Sequence, residues 1–128
     1  METLTETSVL IVDDSSTNIK VVCNFIRDLG HRIHIAKDGV QALKLLTSIK
    51  PTVIIMDAKM PNMDGFECCR RIKQSAQRKD IPVLFMSGSN DVKDMKRAQN
   101  VGASEYITKP IDAELLRSKI DFYMPFVQ

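Results

Sequence analysis

The stretch PTVIIMDAKMP, residues 51–61, joins a short apolar run to a carboxylate and then to a loop that closes with proline. Residues 53–56 are all apolar, and Asp57 follows them directly. An apolar run of this length between turn residues is typical of an interior strand in a parallel sheet with both faces covered. Asp57 would then lie at the end of a buried strand, where an acid needs a chemical reason.

The same pattern of short apolar runs extends through the whole chain. Five of them alternate with segments whose apolar residues recur at three- and four-residue spacing. We expect strands at residues 9–12, 32–35, 53–56, 82–86 and 104–107. Strict alternation of strand and helix predicts a single α/β domain over residues 1–128, doubly wound, with a parallel sheet and helices on both faces.

The helical segments are defined by their apolar stripes and by possible caps. The predicted stripes are Ile19, Val22, Cys23, Ile26 and Leu29; Ala42, Leu43, Leu46 and Ile49; Phe66, Cys69 and Ile72; Val92, Met95 and Ala98; and Leu115, Leu116, Ile120 and Phe122. Gly30 is expected to end the first helix, Asp38 to cap the second, and Asp112 to cap the last, which Pro125 should stop.

Composition narrows the class of protein. The chain has 128 residues, a formal net charge of +2 and no tryptophan, so charge alone indicates no nucleic-acid partner. The basic run at residues 70–79 is interpreted as the solvated face of a helix. Three cysteines, of which Cys68 and Cys69 are adjacent, argue against a disulfide framework. With neither a signal peptide nor an apolar span in the sequence, we expect a cytoplasmic protein.

Polar residues stand where the predicted strands end. Asp13 and Asp14 follow the first strand, Asp57 the third and Ser87 the fourth, while Lys109 follows the fifth. The carboxyl ends of parallel strands share one edge of a sheet, where open α/β sheets bind ligands. We therefore expect these side chains to converge on one rim.

Three converging carboxylates repel one another unless a cation neutralises them. An all-oxygen ligand set favours Mg²⁺, with Mn²⁺ as a substitute, and Mg²⁺ often takes a substrate phosphate as a further ligand. Lys109 and the Ser87 hydroxyl could then contact phosphoryl oxygens. Asp57 is the candidate nucleophile, because carboxylates can form aspartyl phosphates.

At these residues the chain resembles the response-regulator receiver domains of two-component signalling, including the bacterial chemotaxis regulator. The matching stretches are VLIVDD (9–14), VIIMDAKMPNMDG (53–65), PVLFMSG (82–88) and GASEYITKP (102–110). The resemblance covers essentially the whole chain. The resemblance implies a (βα)5 flavodoxin-like fold with strand order 2-1-3-4-5.

The resemblance also implies a role for each matching residue. Asp57 corresponds to the phosphoacceptor, Asp14 to a direct metal ligand and Asp13 to the acid that holds metal-bound water. The backbone carbonyl of Lys59 corresponds to a further metal ligand. The remaining roles are the switch pair Ser87 and Tyr106, the phosphoryl-pairing lysine Lys109, and a cis peptide bond between Lys109 and Pro110.

As a receiver, the chain is expected to take its phosphoryl group from a sensor histidine kinase or a phosphotransfer protein. It would assist its own phosphorylation and dephosphorylation without being a metabolic enzyme. The expected output surface is the fourth helix, fifth strand and fifth helix, acting on a downstream protein, a fused effector domain or a second copy. Whether the chain is a complete regulator or part of a longer protein stays open, as does whether Phe122, Tyr123 and Phe126 form a docking surface or pack internally.

Two other classes fit less well. A haloacid-dehalogenase-type phosphatase also uses a nucleophilic aspartate with Mg²⁺ but needs a second acid two residues later, where this chain has Lys59. A nucleotide-binding half-domain would need a glycine-rich loop, which VDDSSTN (12–18) does not contain. A phosphorylation-independent interaction domain of the same fold is the third alternative.

Overall fold

The computed structural model describes residues 6–125, which form five parallel strands with helices on both faces. The sheet order is β2-β1-β3-β4-β5, so the predicted fold class and strand order are confirmed. The strands are β1 (Ser8–Val12), β2 (Arg32–Ala36), β3 (Val53–Asp57), β4 (Val83–Ser87) and β5 (Glu105–Thr108). The predicted domain covers residues 1–128. Its two ends lie outside the described residues, and so does the prediction made for Phe126.

Five α-helices connect and follow the strands. They are α1 (Ser16–Ile26), α2 (Gly39–Leu45), α3 (Gly65–Lys73), α4 (Val92–Asn100) and α5 (Ala113–Tyr123). Asp38 and Asp112 cap α2 and α5 through their side chains, as predicted. A 3-10 turn follows α1 and ends at Gly30, whose φ of 85° suits glycine. Helix α2 ends earlier than expected, before Ile49.

The core has two halves, one on each face of the sheet, because successive strand residues point to opposite sides. In β1, Val9 and Ile11 pack with α1 and α5, and Leu10 packs with α2 and α3. Every residue of β1, β3 and β4 is buried, which explains why these three strands are apolar along most of their length. The sheet is therefore a rigid mount for whatever follows its strands.

Three residues assigned to apolar stripes are exposed instead. Val92, Leu115 and Phe122 are 61%, 45% and 76% exposed, so their places in the predicted stripes are wrong. Val92 and Phe122 lie in the first and last turns of their helices, and Leu115 neighbours the buried Leu116, which takes the core-facing position. Periodicity marks the apolar side of a helix but does not say how far the sheet extends beneath it.

The basic run is only partly a solvated face. Arg70 and Arg71 pair with Glu67 on the surface of α3. Lys73 donates to the carbonyls of Lys79 and Ile81, and is half-buried. Lys73 therefore holds the loop after α3 in place, so this part of the basic run has a structural role as well as a solvated face.

The structure also bears on the cysteines and on membranes. Cys23, Cys68 and Cys69 are all free thiols, as expected. Within residues 6–125, no helix has the length and apolar character needed to cross a bilayer.

Candidate functional site

The predicted polar residues do meet at the carboxyl rim of the sheet. Asp57 and Ser87 are the last residues of β3 and β4, and Asp13 follows β1. Backbone hydrogen bonds fix the neighbouring segments, since Lys109 N donates to Ser87 O at 2.7 Å and Asp13 N donates to Ala36 O at 3.1 Å. The rim is thus held by continuation of the strand ladders beyond the strands themselves.

Three carboxylates form the centre of the rim. One oxygen each of Asp13, Asp14 and Asp57 lies within 4.8 Å of the others. Asp13 and Asp57 are buried and Asp14 is exposed, so the cluster opens to solvent on one side. Such a set of hard oxygen ligands with an open side suits a partly hydrated Mg²⁺.

Asp13 gives a further sign that a cation belongs here. Its Oδ1 accepts from the Ser15 backbone N–H at 2.9 Å, whereas its buried Oδ2 has no hydrogen-bond partner. Burial raises the pKa of Asp13, the nearby Asp57 carboxylate raises it further, and the Ser15 bond opposes both. An orphaned buried carboxylate oxygen is costly, and a cation is the partner that would satisfy it.

Lys109 brings a positive charge to the rim. Its Nζ lies 3.1 Å from Asp57 Oδ1, and the lysine is half-buried, which strengthens the attraction relative to a surface pair. The Lys109–Pro110 peptide bond is cis, as the resemblance implied.

Ser87 and Tyr106 each form a hydrogen bond with Ser89, a link that the sequence analysis did not predict. The Ser87 hydroxyl accepts from Ser89 N at 3.1 Å, and the Tyr106 hydroxyl donates to Ser89 O at 2.7 Å. Ser87 is buried and Tyr106 half-buried. The two side chains are therefore connected through one peptide segment of the loop after β4.

A glycine supports Asp57 from behind. Gly65 N donates to Ala58 O at 2.9 Å, and a Cβ at position 65 would lie 2.4 Å from the backbone oxygen of Asp57. Such an approach is too close for any side chain, so α3 can begin directly against the end of β3 only because residue 65 is glycine. The loop between β3 and α3 is thereby closed tightly behind the carboxylate.

The residues predicted for the rim do lie together, but the sequence analysis missed one contact that supports them. Ser15 caps α1 and also holds Asp13 through its N–H, a short-range contact that the Asp-Asp-Ser order could have indicated. Lys59 is exposed in the loop after β3, and the metal-binding role of its carbonyl stays a prediction. The catalytic and switch roles of the other rim residues are likewise predictions.

Comparison with known proteins agrees with this geometry. A family described as the response regulator receiver domain matches residues 9–121, which is most of the chain. The chain belongs to the response-regulator receiver family. Its receiver fold resembles the crystal structure of chemotaxis protein CheY4 of Vibrio cholerae, with a TM-score of 0.87, 29% identity, and coverage of 94% of this chain and all of that one.

Curated relatives of this receiver domain differ widely in length. Protein PilG of Pseudomonas aeruginosa is 31% identical over 117 residues, covering 91% of this chain and 87% of PilG. A probable cyclic di-GMP phosphodiesterase of Vibrio cholerae is 32% identical over 124 residues, but the chain spans only 28% of that protein's length. The likeness to the phosphodiesterase therefore concerns one part of a larger protein.

Proposed function

We propose that Asp57 of this receiver accepts a phosphoryl group from a phosphohistidine of a sensor kinase or phosphotransfer protein. The observation that carries the proposal is the Asp57 carboxylate itself, which lies 3.1 Å from Lys109 Nζ and within 4.8 Å of the oxygens of Asp13 and Asp14. A carboxylate beside the Lys109 ammonium group can attack a phosphoryl group, because that cation stabilises the negative charge on the phosphoryl oxygens.

The reaction would form a bond between an Asp57 carboxylate oxygen and phosphorus. The phosphorus–nitrogen bond of the phosphohistidine breaks, and the imidazole leaves with its electron pair. Lys109 is already paired with Asp57 and would donate to the phosphoryl oxygens, as would the Ser87 hydroxyl after turning from Ser89 N. This receiver would assist its own phosphorylation and dephosphorylation and would not act as a metabolic enzyme.

The acidic cluster is proposed to hold Mg²⁺. Asp14, Asp57 and the backbone carbonyl of Lys59 would be its direct ligands and Asp13 would hold metal-bound water, which the orphaned Oδ2 of Asp13 supports. When bound, the ion supplies positive charge to the phosphoryl oxygens, and Mn²⁺ could substitute. Asp13 contributes a buried carboxylate oxygen that no protein donor occupies.

The signal is proposed to pass through Ser89 to Tyr106. If the Ser87 hydroxyl turns toward a phosphoryl group, it gives up its bond from Ser89 N, and the peptide that accepts from Tyr106 is free to shift. A preference of a few kcal/mol for one arrangement is enough to invert a two-state population. The readout surface would be α4, β5 and α5, which Tyr106 adjoins.

The partners follow from this chemistry and stay proposals. The donor would be a sensor histidine kinase or phosphotransfer protein, and the recipient of the signal a downstream protein, a fused effector domain or a second copy of the receiver. The three free thiols suit a reducing compartment, which supports a cytoplasmic location.

Phosphorylation is tested with acetyl phosphate and Mg²⁺, followed by intact mass measurement. We expect one phosphoryl adduct that requires the metal and disappears in Asp57→Asn. The matched control is Asp80→Asn, which removes an exposed carboxylate near the opposite edge of the sheet and should leave the adduct unchanged.

The other outcomes discriminate between the remaining classes. Rapid turnover of phosphate esters would indicate a phosphatase, and an absence of any metal-dependent adduct would favour a phosphorylation-independent interaction domain. An adduct that persists in Asp57→Asn would show that another residue is the acceptor.

A further inference from the structure

Helix α4 is attached to the rest of the receiver by very little apolar contact. Of its nine residues, Val92–Asn100, only Ala98 is buried. Helical stability in proteins comes mainly from burying an apolar face, so a helix with one buried alanine depends on its remaining contacts. Those contacts decide where α4 lies.

Arg97 makes two of them. Its guanidinium carbon lies 4.3 Å from the centroid of the Phe66 ring, and its Nη2 lies 3.4 Å from Asp64 Oδ2. A guanidinium can stack on an aromatic ring and pair with a carboxylate at once, because it is planar and carries several donors. Arg97 thus spans from α4 to the start of α3.

The segment that Arg97 contacts also packs against Asp57, the proposed phosphoacceptor. Asp64 caps α3 by accepting from Glu67 N at 2.8 Å, and Gly65 lies against the backbone oxygen of Asp57. The ring of Phe66 has one neighbour in Arg97 and another in Phe85, whose ring centroid is 5.1 Å away.

Phe85 continues the connection to the other side of the site. It lies on β4, which ends at Ser87, and it would contact a Cβ at position 65 at 2.8 Å. The ring of Phe66 is therefore packed between β4 and α4, beside the residue that closes the loop behind Asp57. A change at either strand end has a short, packed route to Arg97.

We propose that Arg97 is a positioning residue that couples α4 to the segment Asp64–Phe66 behind the phosphoacceptor. The position of α4 then depends on the site through a second connection, separate from that through Ser89 and Tyr106. This inference rests on the proposed function, since it assigns the regulation of the same site. The Arg97 side chain is 55% exposed, so the connection is weak enough to open and close reversibly.

The plain alternative is that Arg97 is an ordinary surface ion pair with no measurable effect. Exposed ion pairs often contribute nothing, and Asp64 is itself 37% exposed. What separates the two is the ring, because Phe66 is buried except for 4% of its surface and the guanidinium covers it. Loss of the Arg97 guanidinium would uncover the Phe66 ring and would therefore weaken the attachment of α4.

Hydrogen exchange of α4 peptides tests the attachment without any phosphoryl group. In Arg97→Gln, we expect the α4 amides to exchange about threefold faster than in the unaltered protein, the effect of losing one cation–aromatic contact. The matched control is Lys96→Gln, which removes the neighbouring exposed cation from the same helix. Equal exchange in the two variants would overturn the proposal.

Coupling is tested by adding beryllofluoride and Mg²⁺ as a mimic of the phosphoryl group. We expect α4 exchange to respond in the unaltered protein and in Lys96→Gln, and the response to fall by at least half in Arg97→Gln. Arg97→Lys, which keeps the charge but not the planar fork, should restore only part of it. A full response in Arg97→Gln would contradict the coupling.

The two proposals fail separately. The basal exchange comparison requires no phosphoryl chemistry, so it reports on Arg97 even if Asp57 is not an acceptor. If beryllofluoride alters no peptide of the unaltered protein, the proposed function and the coupling that rests on it fail together, while faster basal exchange in Arg97→Gln would still support the attachment.

Discussion

Helices α4 and α5 both flank β5, but they are held in different ways. Helix α5 buries Leu116 and Ile120 completely, whereas α4 buries only Ala98. Polar contacts widen the difference, since the last turn of α5 is tied to β5 by a bond from the Tyr123 hydroxyl to Glu105 at 2.5 Å. Helix α5 is anchored by buried apolar side chains, whereas α4 is held mainly by contacts at its surface.

This difference suits the switching proposed for the face formed by α4, β5 and α5. Two large buried side chains each contribute roughly 1.5–3 kcal/mol, while a buried alanine contributes far less. A perturbation of a few kcal/mol can therefore displace α4 without displacing α5. We expect the anchored helix to serve as the reference against which the other moves.

The largest expected effect comes from removing an anchor of α5. Leu116→Ala should lower the free energy of unfolding by about 2–5 kcal/mol, because it leaves a cavity in a fully buried position. The comparison variant Met95→Ala, on half-buried Met95 of α4, should cost about 1 kcal/mol or less. Urea unfolding measures both, and equal losses would show that the two helices are held alike.

The sequence predicted the two buried anchors of α5, although it wrongly placed Leu115 and Phe122 of the same helix in the apolar stripe. Leu116 and Ile120 were expected in the core, because long apolar side chains at helical spacing have few other places to go. The strand ends were predictable for a related reason, since an acid after an apolar run is conspicuous and parallel strands bring such acids together. The resemblance added the strand order and the individual roles.

The contacts that attach α4 were not predicted. Val92 was assigned to the apolar stripe of α4 and is exposed, and neither Arg97 nor Phe66 was expected to meet the other. A contact between two helices far apart in the chain depends on how each packs on the sheet, which periodicity within one helix does not contain. Surface arginines in particular carry no pattern that marks their partner.

A smaller effect is expected from the polar tie of α5. Glu105→Gln removes the charge that accepts from Tyr123 and pairs with Lys119 at 3.0 Å, and it should lower the free energy of unfolding by about 1 kcal/mol. Asp121→Asn removes an exposed carboxylate of the same helix and should change it by less than about 0.5 kcal/mol. Thermal and urea unfolding of the pair would reveal whether the tie stabilises the fold.

The same tie predicts a loss of stability at high pH. Burial raises the pKa of Tyr123 from 10.0 to about 12, and the bond to the Glu105 carboxylate adds to the shift. Since the folded pKa lies above the unfolded one, the contribution is complete below pH 10 and is lost as pH rises through about 12. Unfolding measured from pH 9 to pH 12 should show a steeper decline in the unaltered protein than in Tyr123→Phe; parallel declines would mean that Tyr123 does not titrate this way.

The smallest expected effect is a difference in the rate of thiol labelling between Cys68 and Cys69, which are buried beneath different helices. Burial raises the pKa of Cys69 to about 11 and that of Cys68 to about 12, so both should react with iodoacetamide more slowly than half-buried Cys23.

The order of the two buried thiols is the informative part. Cys69 Sγ lies 3.4 Å from the carbonyl of Val101, the residue that directly follows α4, whereas Cys68 contacts Gly39 of α2. A looser cover by α4 and the lower pKa of Cys69 both favour labelling of Cys69 first, so the reverse order is the decisive one. Peptide mass analysis over time decides the order, and earlier labelling of Cys68 would count against the weak attachment of α4.

The close approach of Gly65 to the backbone of Asp57 bears on what family membership means. A chain can keep this glycine, and so the tight loop between β3 and α3, for reasons of space alone, even if its aspartate has been lost. Gly65 serves the shape of the loop, while the carboxylates and Lys109 serve the reaction proposed for the site. Relatives that retain the first and not the second would be receivers in architecture and binding modules in chemistry.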